Sequence, residues 1–466
     1  MGPPIAYPDY IESEYPANLA LKQVQIIFRH GERTAVHRST QQWEKWNFPI
    51  FWPLCDSSRF SLTGIVNPAA KPHPVSAFPY EREIETLTDE TPSPLFTNAG
   101  KDGLCLEGQL TDKGRLSGYR LGEQLRALYI DRLGFLPKTF TDQSEVYLRT
   151  TSIVRSRETL QQVFAGLYPF SSASQPPKIL ERLPFEEDLY PTSHICPRLR
   201  ELRSQFVDAA ASKWDPQLES PAHKLKTILS GDGITVGKAA GKDGAWAIVD
   251  TYASALAHNI KTPACFADKE AVNLLARASI DTEFVGYEQN SEMKKLGMGK
   301  FFYEVLKRMT IGDVVRGQND AEIAKMLKKD SIKYRKTPKL ALYAAHDSSI
   351  GAILATMGVL ERKWINFTTH IIFEHFEDVS SSEKQGWSLG RKQPEQYVRV
   401  KYNGKPVSLP ACAAEDKHML QDATMCSMAA FKEFVKSVAP VDYSAECAAN
   451  IGVAAPAAEI AFAKGE

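Results

Sequence analysis

Arg29-His30-Gly31-Glu32-Arg33 stands directly behind the apolar run 24–28, and His346-Asp347 stands directly behind the apolar run 340–345. Each places a histidine and charged partners where a buried strand should end and a loop begin. A histidine among arginines suits a nucleophile held beside an anion. The cations keep its imidazole unprotonated, and guanidinium forks match phosphoryl oxygens. A second histidine followed by an acid suits charge stabilisation plus a proton for a leaving oxygen. Together these are the parts of phosphate-ester cleavage through a phosphohistidine. His30 would attack; Arg29, Arg33 and His346 would hold the phosphoryl oxygens; Asp347 would protonate the departing alkoxide. Gly31, without a side chain, is expected to let the phosphoryl group approach the backbone. This chemistry asks for no metal and no cofactor, and the other eight histidines show no metal-ligand spacing. A helix beginning near Ser348 would aim its N-terminal end at the site, attracting phosphate but also favouring the carboxylate form of Asp347. Burial or a neighbouring carboxylate would have to raise that pKa, or a low working pH relieve the conflict.

The elements that must position these residues are legible as periodicity. Segments 24–28, 145–148 and 340–345 are strand-like apolar runs, and 367–375 and 397–402 suggest further, antiparallel strands at one edge. Helical stripes follow the second and third runs. Leu160, Val163, Phe164, Leu167 and Tyr168 form one; Ile350, Ile353, Leu354 and Met357 form another, stopped by Gly358. A helix from near Thr111 carries Gly114, Gly118 and Gly122 on its apolar stripe, which predicts that it lies close on the sheet. Strands alternating with helices imply a parallel-rich α/β/α core, in which ligands bind beyond the carboxyl ends of the strands. His30, an arginine of the stretch 149–157 and His346-Asp347 all fall just after such ends.

Two stretches do not fit the sheet. Residues 39–107 show only weak periodicity, and 170–292 hold helical segments at 245–258 and 268–279 with no convincing strand. The expected organisation is therefore a core of 20–38, 108–169 and 293–447, an inserted, mainly helical cap of 39–107 and 170–292, and tails at 1–19 and 448–466, the last loosely held. Trp43, Trp46, Phe48, Ile50, Phe51, Trp52 and Leu54 crowd one segment of the first insertion. Packing inside the cap is the leading explanation, and lining of the crevice mouth beside an acyl chain is the alternative.

RHGER after a strand, a later arginine at a strand-to-helix turn and a late HD after another strand resemble the histidine acid phosphatase family of the phosphoglycerate mutase-like superfamily. The family pattern RHGxRxP is kept in its charged members, with Ala35 in place of the proline. Its RSTxxxR segment is matched by RTTSIVR at 149–155, with Ser152 where an Asp is common. The resemblance, not the spacing, selects Arg155 as phosphate ligand over Arg149 and Arg157. It covers about residues 20–447 and looks most like the lysophosphatidic acid phosphatase branch, through GQLTDKGRLSGYRLGEQLR, LYAAHD and VKYNGKPV. It implies a metal-independent acid phosphatase acting on phosphate monoesters, with lysophosphatidate or a similar amphipathic ester as substrate. Phosphotransfer of the mutase type, and a non-catalytic phosphate- or inositol-phosphate-binding module, are the alternatives.

Bulk properties exclude other classes. Lys+Arg and Asp+Glu balance at 56 each in 466 residues, so no net field recruits nucleic acid. No window approaches the ~18 apolar residues of a membrane span, and no secretory or transit signal is recognised, so the expected setting is cytoplasmic, with an organelle as alternative. Seven cysteines without a CxxC pair predict isolated buried thiols, with one or two disulfides as the alternative. Oligomeric state is not legible.

Overall fold

A largely apolar run must be covered on both faces, and the computed structural model, which describes residues 14–36, 46, 52–66, 75–82, 103–238, 242–315, 337–380 and 394–460, places the first run at the centre of a sheet. Strand β1 (Leu19–Arg29) contains it. β2 (Phe60–Val66) and β3 (Val75–Glu81) form a separate hairpin, and β6 (Ile234–Thr235) and β7 (Asp243–Gly244) a small parallel pair. The main sheet takes β4 (Val146–Thr150), β5 (Ile179–Glu181), β8 (Leu340–Ala345), β9 (His370–Asp378), β10 (Gln396–Tyr402), β11 (Lys405–Val407), β12 (His418–Met419) and β13 (Asp422–Ser427). Their order is β12-β13-β10-β9-β1-β8-β4-β5, with β11 paired to β10. From β1 to β5 the strands are parallel, whereas β9 and β10 continue antiparallel on the other side.

Helices cover both faces. α1 (Asp112–Arg126) and α2 (Val154–Leu167) lie on one, where Val24, Ile26 and Phe28 meet Leu121, Leu125, Leu160 and Val163. α3 (Pro197–Lys224), α4 (Ala245–Ala257), α5 (Lys269–Gln289), α6 (Ser291–Val315), α7 (Asp347–Thr356) and α8 (Met428–Val438) complete the list of longer helices. On the second face Ile27 joins a cluster with Phe284, Phe301, Ile353 and Phe431. The mixed sheet with helices on both sides is the expected fold class.

Several local expectations need correction. The glycines of α1 serve a helix and a loop rather than the sheet. A Cβ on Gly122 would collide with the Val163 carbonyl, one on Gly166 with the Tyr119 carbonyl, and one on Gly114 with the backbone of Glu32. Strand β5 lies inside 170–292, a stretch read as strandless; three residues at a half-exposed edge are too short to show a period. β9 begins at His370, because 365–369 form a turn. Trp46 and Trp52 are buried among Trp214, Ile248 and Phe266, a packing role; Trp43, Phe48, Ile50 and Phe51 lie outside the described residues. The end of the chain is tied down as far as it is described. Arg198 of α3 donates to the carbonyls of Asn450 and Val453 at 2.9 and 2.6 Å, and Asn290 donates to Glu459 at 2.5 Å.

The largest correction concerns the cysteines. Cys55–Cys105, Cys196–Cys447 and Cys412–Cys426 are disulfides, and Cys265 alone is free. Sequence spacing could not reveal pairs brought together only by the tertiary fold. Cys196–Cys447 spans 251 residues and joins α3 to the C-terminal segment. Replacing both by Ser is expected to lower unfolding stability by about 2–5 kcal/mol, read as a fall in the denaturation midpoint. An unchanged midpoint would show that the bond contributes nothing to the native fold.

Candidate active site

The register of the parallel strands builds the site. Arg29 is paired with Ala345 and Thr150 with Ala344, so β1, β8 and β4 end level with one another. His30, Thr151 and His346 therefore leave the same edge side by side. The His30 N–H donates to the Ala345 carbonyl at 3.0 Å, and the imidazoles of His30 and His346 lie 5.6 Å apart edge to face. Asp347 opens α7, and its Oδ2 is 2.7 Å from Nη2 of Arg29.

His30 is buried, and its Nδ1 lies 2.9 Å from the Gly31 carbonyl. A carbonyl only accepts, so Nδ1 carries the proton and the neutral ring keeps a lone pair on Nε2. Burial pushes the His30 pKa well below its ordinary value, and Arg155, Arg29, Arg33 and His346 push the same way. His346 is lowered to about 3 by burial and by Arg155, against an opposing pull from Asp347; its Nε2 is 3.0 Å from the Thr151 hydroxyl.

The arginines differ in how they are held. Arg29 is fully buried; it donates to the Ile365 carbonyl, pairs with Asp347 and stacks 4.2 Å from the centre of the Phe367 ring. Arg33 is gripped by both oxygens of Asp250 on α4, at 2.7 and 3.1 Å. Arg155, at the start of α2, makes no ion pair among the described residues, and its buried Nε has no partner. Burial and the neighbouring Arg33 push it down to about 10. The other two arginines of that stretch are engaged elsewhere. Arg149 is buried among Glu187, Asp188 and Glu304 at 2.5, 2.6 and 3.2 Å, and Arg157 pairs with Glu181 at 3.0 Å.

Two sequence expectations are corrected here. Burial does push the Asp347 carboxyl up, but Arg29, Arg33, His346 and the Ser348 N–H outweigh it, so the net shift is downward. Asp347 is held as a carboxylate, because its close neighbour is the Arg29 guanidinium rather than a second acid. Gly31 makes room for protein: a Cβ there would strike the Gly114 carbonyl of α1. Its N–H is accepted by the Thr159 hydroxyl at 3.1 Å.

Sequence reasoning did not single out Asp250, Thr151 or the site contacts of Phe367. Asp250 stands 217 residues from Arg33, and no local pattern announces such a pair. His258 bridges α4 to the start of α1, with Nδ1 donating to the Ser254 carbonyl at 2.7 Å and Nε2 accepting from Thr111 at 2.8 Å. Among the described residues no cluster of three or more His, Cys, Asp or Glu is arranged to hold a metal.

Comparison with known proteins adds the following. The family model of the histidine phosphatase superfamily (branch 2) matches residues 20–403. A probable acid phosphatase of Schizosaccharomyces pombe is 30% identical, over 95% of this chain and 97% of its own length. Lysophosphatidic acid phosphatase type 6 of Homo sapiens is 27% identical, over 83% of this chain and 78% of its own. Among solved structures, the phytase of Hafnia alvei in its apo form shares the fold at a TM-score of 0.55 and 13% identity, covering 93% of this chain and 99% of that one.

Proposed function

Because the chain belongs to branch 2 of the histidine phosphatase superfamily and is an acid phosphatase, we propose that it works through a phosphohistidine on His30, with lysophosphatidate or a similar amphipathic monoester as substrate. Nε2 of His30 attacks phosphorus in line with the ester bond, while Arg29, Arg33, Arg155 and His346 donate to the non-bridging oxygens. Asp347 gives its proton to the leaving alkoxide. As a carboxylate it then takes a proton from the water that opens the phosphohistidine, returning free phosphate and neutral His30.

The single observation carrying this reading is the company of His30: a buried, neutral imidazole with an open Nε2, faced by Arg155, a cation that has no carboxylate partner among the described residues. A phosphate dianion supplies the missing negative charge. It also offsets the Arg29 and Arg33 charges that hold Asp347 ionised, so substrate binding raises the Asp347 pKa toward the acid role. Substrate thereby prepares its own proton donor.

Lysophosphatidates of graded chain length, sugar phosphates and inositol phosphates form the deciding panel. We expect kcat/KM for the long-chain lysophosphatidates to exceed that for sugar phosphates by roughly tenfold or more, in line with burial of several methylenes. Equal values across the panel would leave a general phosphatase.

The pH profile follows from the same site. With the His30 pKa depressed, its reactive neutral form persists in acid. The acid limb of kcat/KM, corrected for the substrate's own ionisation, is expected well below the ordinary histidine midpoint of about 6.5. A limb centred near 6.5 would contradict the burial of the nucleophile. For location, three disulfides favour an oxidising compartment over the cytoplasm expected from sequence. No described helix is long and apolar enough to cross a membrane.

A further inference from the structure

We infer that the turn 365–369 is a strained clamp that presets the Arg29–His30 pair, with Phe367 as its positioning residue; this rests on the reading of His30 as nucleophile. The turn touches the pair at four points. The Ile365 carbonyl accepts from a guanidinium N–H of Arg29, and the Thr369 carbonyl accepts the Arg29 backbone N–H at 2.8 Å. The Thr368 N–H donates to the His30 carbonyl at 3.2 Å. The Phe367 ring lies 4.2 Å from the Arg29 guanidinium carbon and 5.9 Å from the centre of the His30 ring. One short segment thus holds backbone and side chain of the arginine together with the backbone of the nucleophile.

The segment is also strained. Thr368 has φ 56°, a region that a β-branched side chain adopts only under steric strain. Its hydroxyl donates to the Phe367 carbonyl at 2.7 Å, and Nδ1 of the buried His370 lies 3.2 Å from the Thr368 carbonyl. The strained conformation is therefore pinned from both sides. A ring laid over a buried guanidinium keeps water from it and fixes its plane, which a flexible aliphatic chain would not. The charged and titratable groups facing His30 are Arg29, Arg33, Arg155 and His346, with Asp347 behind Arg29. Loss of the ring admits water and lets Arg29 withdraw, and both changes make His30 easier to protonate.

The test uses the full-length enzyme and an aryl phosphate, with Phe367→Leu, Phe367→Tyr and Thr368→Gly compared with the parent. Phe367→Leu is expected to lower kcat about tenfold and move the acid limb of kcat/KM upward by up to about one pH unit. Phe367→Tyr, which keeps a ring, is expected to restore both to near the parent values. Thr368→Gly relieves the strain and frees the turn, so its thermal midpoint should hold or rise while kcat falls. A parent-like kcat and acid limb in Phe367→Leu would overturn the inference. So would a joint fall of midpoint and kcat in Thr368→Gly, since that is what a purely structural turn gives. Acid-quench trapping of labelled phosphoenzyme separates the two levels. Label absent from His30 in the parent refutes the nucleophile itself, whereas label on His30 with unaltered Phe367→Leu kinetics refutes only the clamp.

Discussion

Replacing His30 by Ala is expected to reduce hydrolysis of an aryl phosphate to background, a loss on the order of 10⁵-fold, because it removes the proposed nucleophile and with it the covalent route. His346 is close, 5.6 Å away ring to ring, but its Nε2 is engaged 3.0 Å from the Thr151 hydroxyl. The fold should survive. His30 sits just past the end of β1, and the strand's pairing with β8 and β9 runs through backbone groups that alanine retains. Far-ultraviolet circular dichroism and a denaturation midpoint would check that point, and steady-state turnover the first. Retained turnover in a folded variant, above about one per cent, would mean that some other group attacks phosphorus.

Asp347→Asn tests the other half of the reaction, and its expected signature is selective. A positioned general acid contributes roughly 10² to 10⁴-fold, but only where the leaving group needs the proton. Alkyl phosphates, with poor leaving groups, should lose that much in kcat, and nitrophenyl phosphate far less. Asparagine keeps an oxygen for the Ser348 N–H, which Asp347 Oδ1 now accepts at 2.8 Å, so the start of α7 stays intact. It also removes the carboxylate that pairs with Arg29, freeing a cation for phosphate. KM should therefore fall while kcat falls, a combination that simple damage to the site does not produce. Equal losses for both substrate types would remove the proton-donor role.

The two variants also discriminate the reaction class. Phosphotransfer between hydroxyls would leave the His30 phosphoenzyme resistant to water, and free phosphate would be a minor product. A binding module without turnover would tolerate His30→Ala in a phosphate-binding assay and show no rate to lose.

The placement of the proposed site was legible in the chain because most of its parts are local. His30 with its arginines and His346 with Asp347 are neighbours in sequence, and each pair follows an apolar run whose strand nature needs only a few adjacent side chains to specify. The helices after β4 and β8 were legible for the same reason, since a 3.6-residue period is a property of a short window. β5 was missed because three residues carry no period. The role of the α1 glycines was misassigned because a glycine stripe reports that something approaches closely but not what approaches.

The linear chain carries the inventory: which groups could attack, bind and protonate, and that strand ends would carry them to one edge. Who holds whom is set by contacts in space. Arg33 is gripped by Asp250 at a separation of 217 residues, Cys196 is bonded to Cys447 at 251, and the 365–369 turn closes on Arg29 at 336. The sequence leaves open whether a neighbour raises the Asp347 pKa; the structure lowers it despite burial, because the β1–β8 register sets the Arg29 guanidinium beside it. Charge, burial and strain are sums over neighbours in space, and a linear chain names its residues without naming those neighbours.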